Sequence, residues 1–396
     1  MNTSKKHSYF RVLFFYLMIA VVAITSFSCN YFRNVKLLTG GLVERKNFEQ
    51  TIPFEYIKGL IVVEGLVNED NVARQFIFDT GAFNSKIEYG LADSLELKTF
   101  ATKENSTAAG VSQQIEVTKL NSLSLGDVIF KNIGAGKLKY DAQSASPCVA
   151  DDGLIGANLI KLAHWKIDYQ NRELSFSDSP FSSESMDAGE PIKFKRPLLS
   201  AVPEIELGVG GRTVQGVLFD VGYNGGLILP AKFADSFESE IQSKVYDRST
   251  TGIYGSNTDT LITKQLEISL GGHTFTTSVE FSSIGKALLG NEILEHFEVL
   301  INNKKKEITL AQISEVEVPE SYSFIPGILN DSLWVVNRTS DELPFSLGDT
   351  LTSINGKTPA DYFATHCDYV MGIGALLEQD LSIELADGEL LEIDSF

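Results

Sequence analysis

Two aspartates stand in matching surroundings in this 396-residue chain. Each ends an apolar run and is followed two residues later by glycine: Phe76-Ile77-Phe78-Asp79-Thr80-Gly81 and Val217-Leu218-Phe219-Asp220-Val221-Gly222. Glycine after a strand lets the backbone turn tightly, so the carboxylate is presented at a cleft. If two such loops meet at an axis, the like charges cannot both ionise, and the pair shares one proton and titrates as a unit. One carboxylate can then activate a water as general base while its protonated partner donates to a peptide carbonyl. A β-turn, where Asp and Gly are favoured, accounts for either motif alone. It does not predict the second.

The elements that must position these loops are strands. From Pro53 to about Ala311 short β-branched and aromatic runs alternate with Gly and Asn/Asp turns, as in Leu60-Ile61-Val62-Val63 and Leu227-Ile228-Leu229. The two aspartates are 141 residues apart, and three further landmarks recur in the same order. Leu123-Ser124-Leu125-Gly126 returns as Ile268-Ser269-Leu270-Gly271, Gly153-Leu154-Ile155-Gly156 as Ala287-Leu288-Leu289-Gly290 with Gly156 and Gly290 134 residues apart, and the stretch from Trp165 to Asn171 as that from Phe297 to Asn303 with Asp168 and Asn302 again 134 apart. Four matches at nearly constant offset point to a duplicated β unit.

Phe78-Asp79-Thr80-Gly81-Ala82, taken with Gly153-Leu154-Ile155-Gly156, resembles the signature of retropepsin-like aspartic proteases. The resemblance covers about residues 53 to 311. It implies a mainly β fold with two related acid-protease-like β-barrel lobes forming a pseudo-dimer, and an Asp79/Asp220 catalytic pair supported by Thr80, Gly81, Val221 and Gly222. No cofactor and no metal are expected. The second motif departs from the family, because Val221 stands where Thr or Ser is usual and Tyr223 where a small residue is usual. A lost hydroxyl in a buried network costs on the order of 1 to 3 kcal/mol. A non-catalytic peptide-binding protein that keeps the cleft is therefore the rival expectation. The fold also needs a flap from each lobe, for which Gly110, Gly252 and Tyr254 are candidates, in segments where glycine supplies mobility.

After residue 314 the pattern changes. Leu333-Trp334-Val335-Val336 reads as a strand, Gly348 to Gly356 as a turn-rich run, the stretch from about Ala360 as a helix, and Leu381 to Leu390 as a hairpin with an Asp-Gly turn. This region resembles a PDZ domain, a small α+β module that takes up an extended peptide by strand addition. The expected layout is a signal peptide over 1–28, a tether over 29–52, lobe one over 53–176, a Ser-rich acidic linker over 177–190, lobe two over 191–313, and the PDZ-like domain over 320–396.

The leader has Lys5, Lys6 and Arg11 ahead of an apolar run from Val12 to Ile24, the pattern of a secretory signal and short for a spanning helix. Thr25-Ser26-Phe27-Ser28-Cys29 resembles a lipobox of the relaxed kind seen in Bacteroidetes lipoproteins, so Cys29 is the expected lipidation site. No acidic run follows it, and an outer-membrane lipoprotein facing the periplasm is expected. Cys148 and Cys367 fall in different expected domains, and no disulfide framework is implied. The five histidines have no ligand spacing. A net charge of -19 excludes a basic field for nucleic acid. The expected partners are protein or peptide substrates and, through Cys29, a membrane; the lobes pair within one chain, as a monomer.

Overall fold

The computed structural model describes residues 37–396 apart from 108–109, 183–187, 198–199, 251, 319–321, 331, 386 and 395–396. The leader and Cys29 lie outside the described residues. The fold is mainly β: a nine-stranded sheet, a six-stranded sheet and a twelve-stranded sheet.

The nine-stranded sheet belongs to the first Asp unit. Strand Arg74–Phe78, which ends at Asp79, is flanked by strand Leu60–Val67 and by Gly153–Ile155, the latter parallel with Phe78 opposite Ile155. In the second unit Arg212–Phe219 runs parallel to Leu288–Leu289, with Phe219 opposite Leu289. Asp79 N donates to Ile155 O and Asp220 N to Leu289 O, both at 2.9 Å. The two later apolar-Gly landmarks thus hold the two aspartates in the same way.

The six-stranded sheet joins the units. Strand His164–Asp168 pairs antiparallel with Phe297–Asn302, and Lys166 sits opposite Leu300. These two residues are repeat mates, being separated by the same 134 residues that separate the flanking landmarks. A residue paired with its own counterpart marks a twofold axis. Trp165, fully buried, anchors this sheet to the first aspartate's strand: its ring lies 4.9 Å from Phe78 and 4.9 Å from Phe176. Pairs of this kind contribute about 0.5–1.5 kcal/mol beyond area burial. Residues read above as tether also enter the sheet, since Glu49–Pro53 pairs with Glu173–Ser177.

The C-terminal residues form their own apolar cluster around Phe324, Trp334, Val336, Leu351, Ile354 and Ile383. Their sheet is continuous with that of the second unit, because Ser243–Asp247 pairs with Leu333–Ser340, Asp247 opposite Arg338. A correction comes with it. Cys148 and Cys367, expected to be unconnected, form a disulfide with Cα atoms 5.1 Å apart across 219 residues of sequence. Helix His366–Leu377 is folded back onto the first unit, where His366 Nε2 lies 3.3 Å from Ser144 O. Spacing in sequence carries no trace of that return. Closing so long a loop stabilises by on the order of 5 kcal/mol in the chain-entropy account.

Candidate active site

The two motif loops meet face to face. Ala82 N donates to Asp79 Oδ1 at 2.7 Å, and Gly222 N donates to Asp220 Oδ1 at 2.9 Å. A Cβ built on Gly81 would overlap the Asp220 carboxylate, and one on Gly222 would overlap that of Asp79. Each glycine is therefore the space into which the opposite aspartate fits, a reciprocal arrangement that no pair of ordinary turns requires. Thr80, Val221 and Asp220 are buried, and Asp220 is 8% exposed.

Burial raises both carboxyls above their ordinary range. Asp220 rises further because burial is joined by the charge of Asp79; for Asp79 the NH groups of Ala82 and Gly81 and the charge of Lys86 oppose the rise. The pair thus holds a proton at a pH where isolated carboxyls are ionised. A shared proton leaves one group as base and one as acid.

Thr80 Oγ1 donates to Phe219 O at 2.6 Å and accepts from Val221 N at 3.0 Å, bridging the units beneath the pair. Val221 does face Thr80 across the units, and it lacks the hydroxyl for the symmetrical bridge. Asn291 Nδ2 serves the second loop instead, donating to Val221 O at 2.8 Å and to Gly59 O at 2.6 Å. A Val221→Thr variant should recover the second bridge. The expected gain is about 1 kcal/mol, read as a rise in melting temperature with unchanged or higher activity; a substantial fall would show that the added oxygen is left without a partner.

The two turns expected as flaps each reach across the boundary between the units. Gly110 ends the turn between strands Ala101–Ser106 and Ser112–Leu125, with Gly110 N donating to Thr107 O, and it abuts Ile284 of the second unit. Gly252 abuts Thr107. The second flap reaches deep into the first unit. Ile253 packs against the buried cluster that holds Val62, Ile77 and Leu154, and Tyr254, 3% exposed, packs with Ile115 and Leu138. Asn105 Nδ2 donates to the Tyr254 hydroxyl at 3.1 Å, and Asp141 N donates to Ile253 O at 3.1 Å. Tyr254 is thus a buried anchor of a crossing flap.

The second flap has a charged root. Arg338 Nε binds Asp247 Oδ1 at 2.9 Å, and Asp247 also accepts from Ser249 N and from the hydroxyl and NH of Thr250. Burial pushes the Asp247 carboxyl up, but the Arg338 guanidinium and these donors bring it below its ordinary value. Sequence reasoning missed this pair, since nothing local links residues 247 and 338. It also missed Lys86, which is buried on strand Ser85–Glu88 between buried Ser85 and Ile87. Among the described residues no group of three or more His, Cys, Asp or Glu side chains is arranged to hold a metal ion, and no helix is long and apolar enough to cross a membrane.

Two β units related by a twofold axis, with paired aspartates and crossing flaps, define the class of this site. Residues 63–159 match the family model described as aspartyl protease, which supports an aspartic-protease type of activity in general. No curated protein matches the chain.

Proposed function

We propose that the protein is an aspartic endopeptidase that hydrolyses peptide bonds in protein substrates, tethered to the cell envelope through a lipidated Cys29 and facing the periplasm. The observation that carries this reading is the reciprocal seating of Asp79 and Asp220 against Gly222 and Gly81. Water held between the carboxyls is activated by the ionised member, and the protonated member donates to the substrate carbonyl. The surviving Thr80 bridge favours this over a binding protein that has lost activity through Val221.

The C-terminal PDZ-like unit engages substrate proteins and gates the cleft. In support, its strand Leu333–Ser340 pairs with Ser243–Asp247, which leads directly into the second flap. Incubating the full chain with an unfolded protein at mildly acidic and neutral pH should give fragments, and pepstatin should suppress them. Intact substrate under both conditions would leave the peptide-binding reading. Cys29→Ala should move the protein from the membrane to the soluble fraction or leave it unprocessed; unchanged fractionation and mass would remove the tether.

A further inference from the structure

One row of side chains crosses the floor of the first unit. Val62 is opposite Ile77, Ile77 opposite Leu154, and Leu154 opposite Lys86 on four adjacent strands. Phe76, Phe78 and Ile87 point the other way, into the main core. Val62, Ile77 and Leu154 pack with Ala82, three residues beyond Asp79, and lie beneath Ile253 of the second flap. The row therefore faces the cleft, and it ends in a lysine.

Lys86 is 3% exposed and donates to Asn84 O at 3.2 Å. An ammonium has three donors, so two remain for a ligand. Above it hangs the first flap. Ala101, Lys103 and Asn105 alternate with exposed neighbours on strand Ala101–Ser106, and Lys103 Nζ donates to Asn84 Oδ1 at 2.9 Å. Lys103 also lies over the Phe83 ring at 4.9 Å. Among the described residues neither lysine makes an ion pair within 4.0 Å, whereas Lys137, close by on the same sheet, is paired with Asp93 and Glu116. Two lysines are thus held on either side of Asn84, one on the cleft floor and one on the first flap strand. Burying an ammonium without an ion-pair partner is unfavourable and pushes it toward the neutral amine, and an anion arriving between the two lysines would restore the charge of both.

We propose that Lys86 and Lys103 form a cationic subsite that takes a carboxylate of the substrate peptide beside the scissile bond. This rests on the endopeptidase reading above. The flap lysine reaches the ligand when the flap is down, so the same carboxylate helps hold the flap closed. Burial and the neighbouring Lys103 charge hold Lys86 down to about 7, with Asp79 opposing, and burial holds Lys103 down to about 8. A bound carboxylate raises both.

The test uses the full chain and matched peptides that differ by Glu or Gln at each position flanking the cleavage point, with free or amidated C-termini. Wild type should prefer Glu by roughly tenfold to a hundredfold in kcat/KM, as a charge-assisted bond predicts. Lys86→Met and Lys103→Met should each bring the Glu/Gln ratio near unity, and Lys103→Arg should keep it. Preference for a free over an amidated terminus would assign the carboxylate to the chain end; equal Glu and Gln rates with either terminus would overturn the subsite. Binding of the same peptides to Asp220→Asn, read by fluorescence anisotropy, separates the two readings. Glu preference in binding without hydrolysis by wild type keeps the subsite and removes the endopeptidase, and no Glu preference in binding removes the subsite whatever the hydrolysis.

Discussion

Asp79→Asn and Asp220→Asn should each lower peptide hydrolysis by roughly four orders of magnitude or more, with the double variant no worse than either single, because groups that act as a unit are not additive. The expectation follows from the reciprocal fit of the two loops and their common proton. The same substitutions should stabilise the fold. Both carboxyls are raised above the ordinary value of about 3.9, so the folded chain holds their proton more tightly than the unfolded chain. Stability from the pair is fully present below that ordinary value and is lost as pH rises through the pair's own titration. Asp220→Asn should therefore melt above wild type at neutral pH, with the difference vanishing in acid. Full activity in Asp220→Asn with none in Asp79→Asn would mean that two first units from separate chains make the active species.

Arg338→Met should be the most damaging single change away from the aspartates. Asp247 is 1% exposed, and Arg338 is its cationic partner. Removing one member of a buried pair leaves an uncompensated charge, at a cost of about 3–5 kcal/mol. Melting temperature should fall by several degrees. Activity should fall as well, because Asp247 also holds Ser249 and Thr250 at the root of the second flap. Adding Asp247→Asn should recover part of the lost stability, since the stranded charge is then gone. The pH sign is opposite to that of the catalytic pair. Asp247 is lowered, so the stability it lends is present above the ordinary carboxylate value and is lost as pH falls through its own. Unchanged melting of Arg338→Met would mean that the flap root is held by strand pairing alone.

Much of this was legible in the residues themselves. The strand class, the duplication and the two aspartates follow from local patterns: period-two apolar runs, glycines after strands, and landmarks repeated at constant offset. Lys166 opposite Leu300 turns that repeat into an axis, a pairing that only the packed sheet shows. The glycine turns at Gly110 and Gly252 were legible, but Tyr254 as a buried anchor was not, because its partners Ile115, Leu138 and Asn105 lie far away in the chain.

Three features were decided only by the tertiary structure. The Cys148–Cys367 bond depends on where the last helix lands, and the Asp247–Arg338 pair depends on which edge the C-terminal strands choose. Lys86 reads in sequence as one more strand residue beside the motif, and only the register across four strands puts it on the cleft floor beneath the Lys103 flap. The reason is common to all three. Hydrophobic periodicity and turn chemistry act over a few residues and are written locally, whereas burial of a charge or closure of a long loop depends on distances that exist only once separate elements have packed.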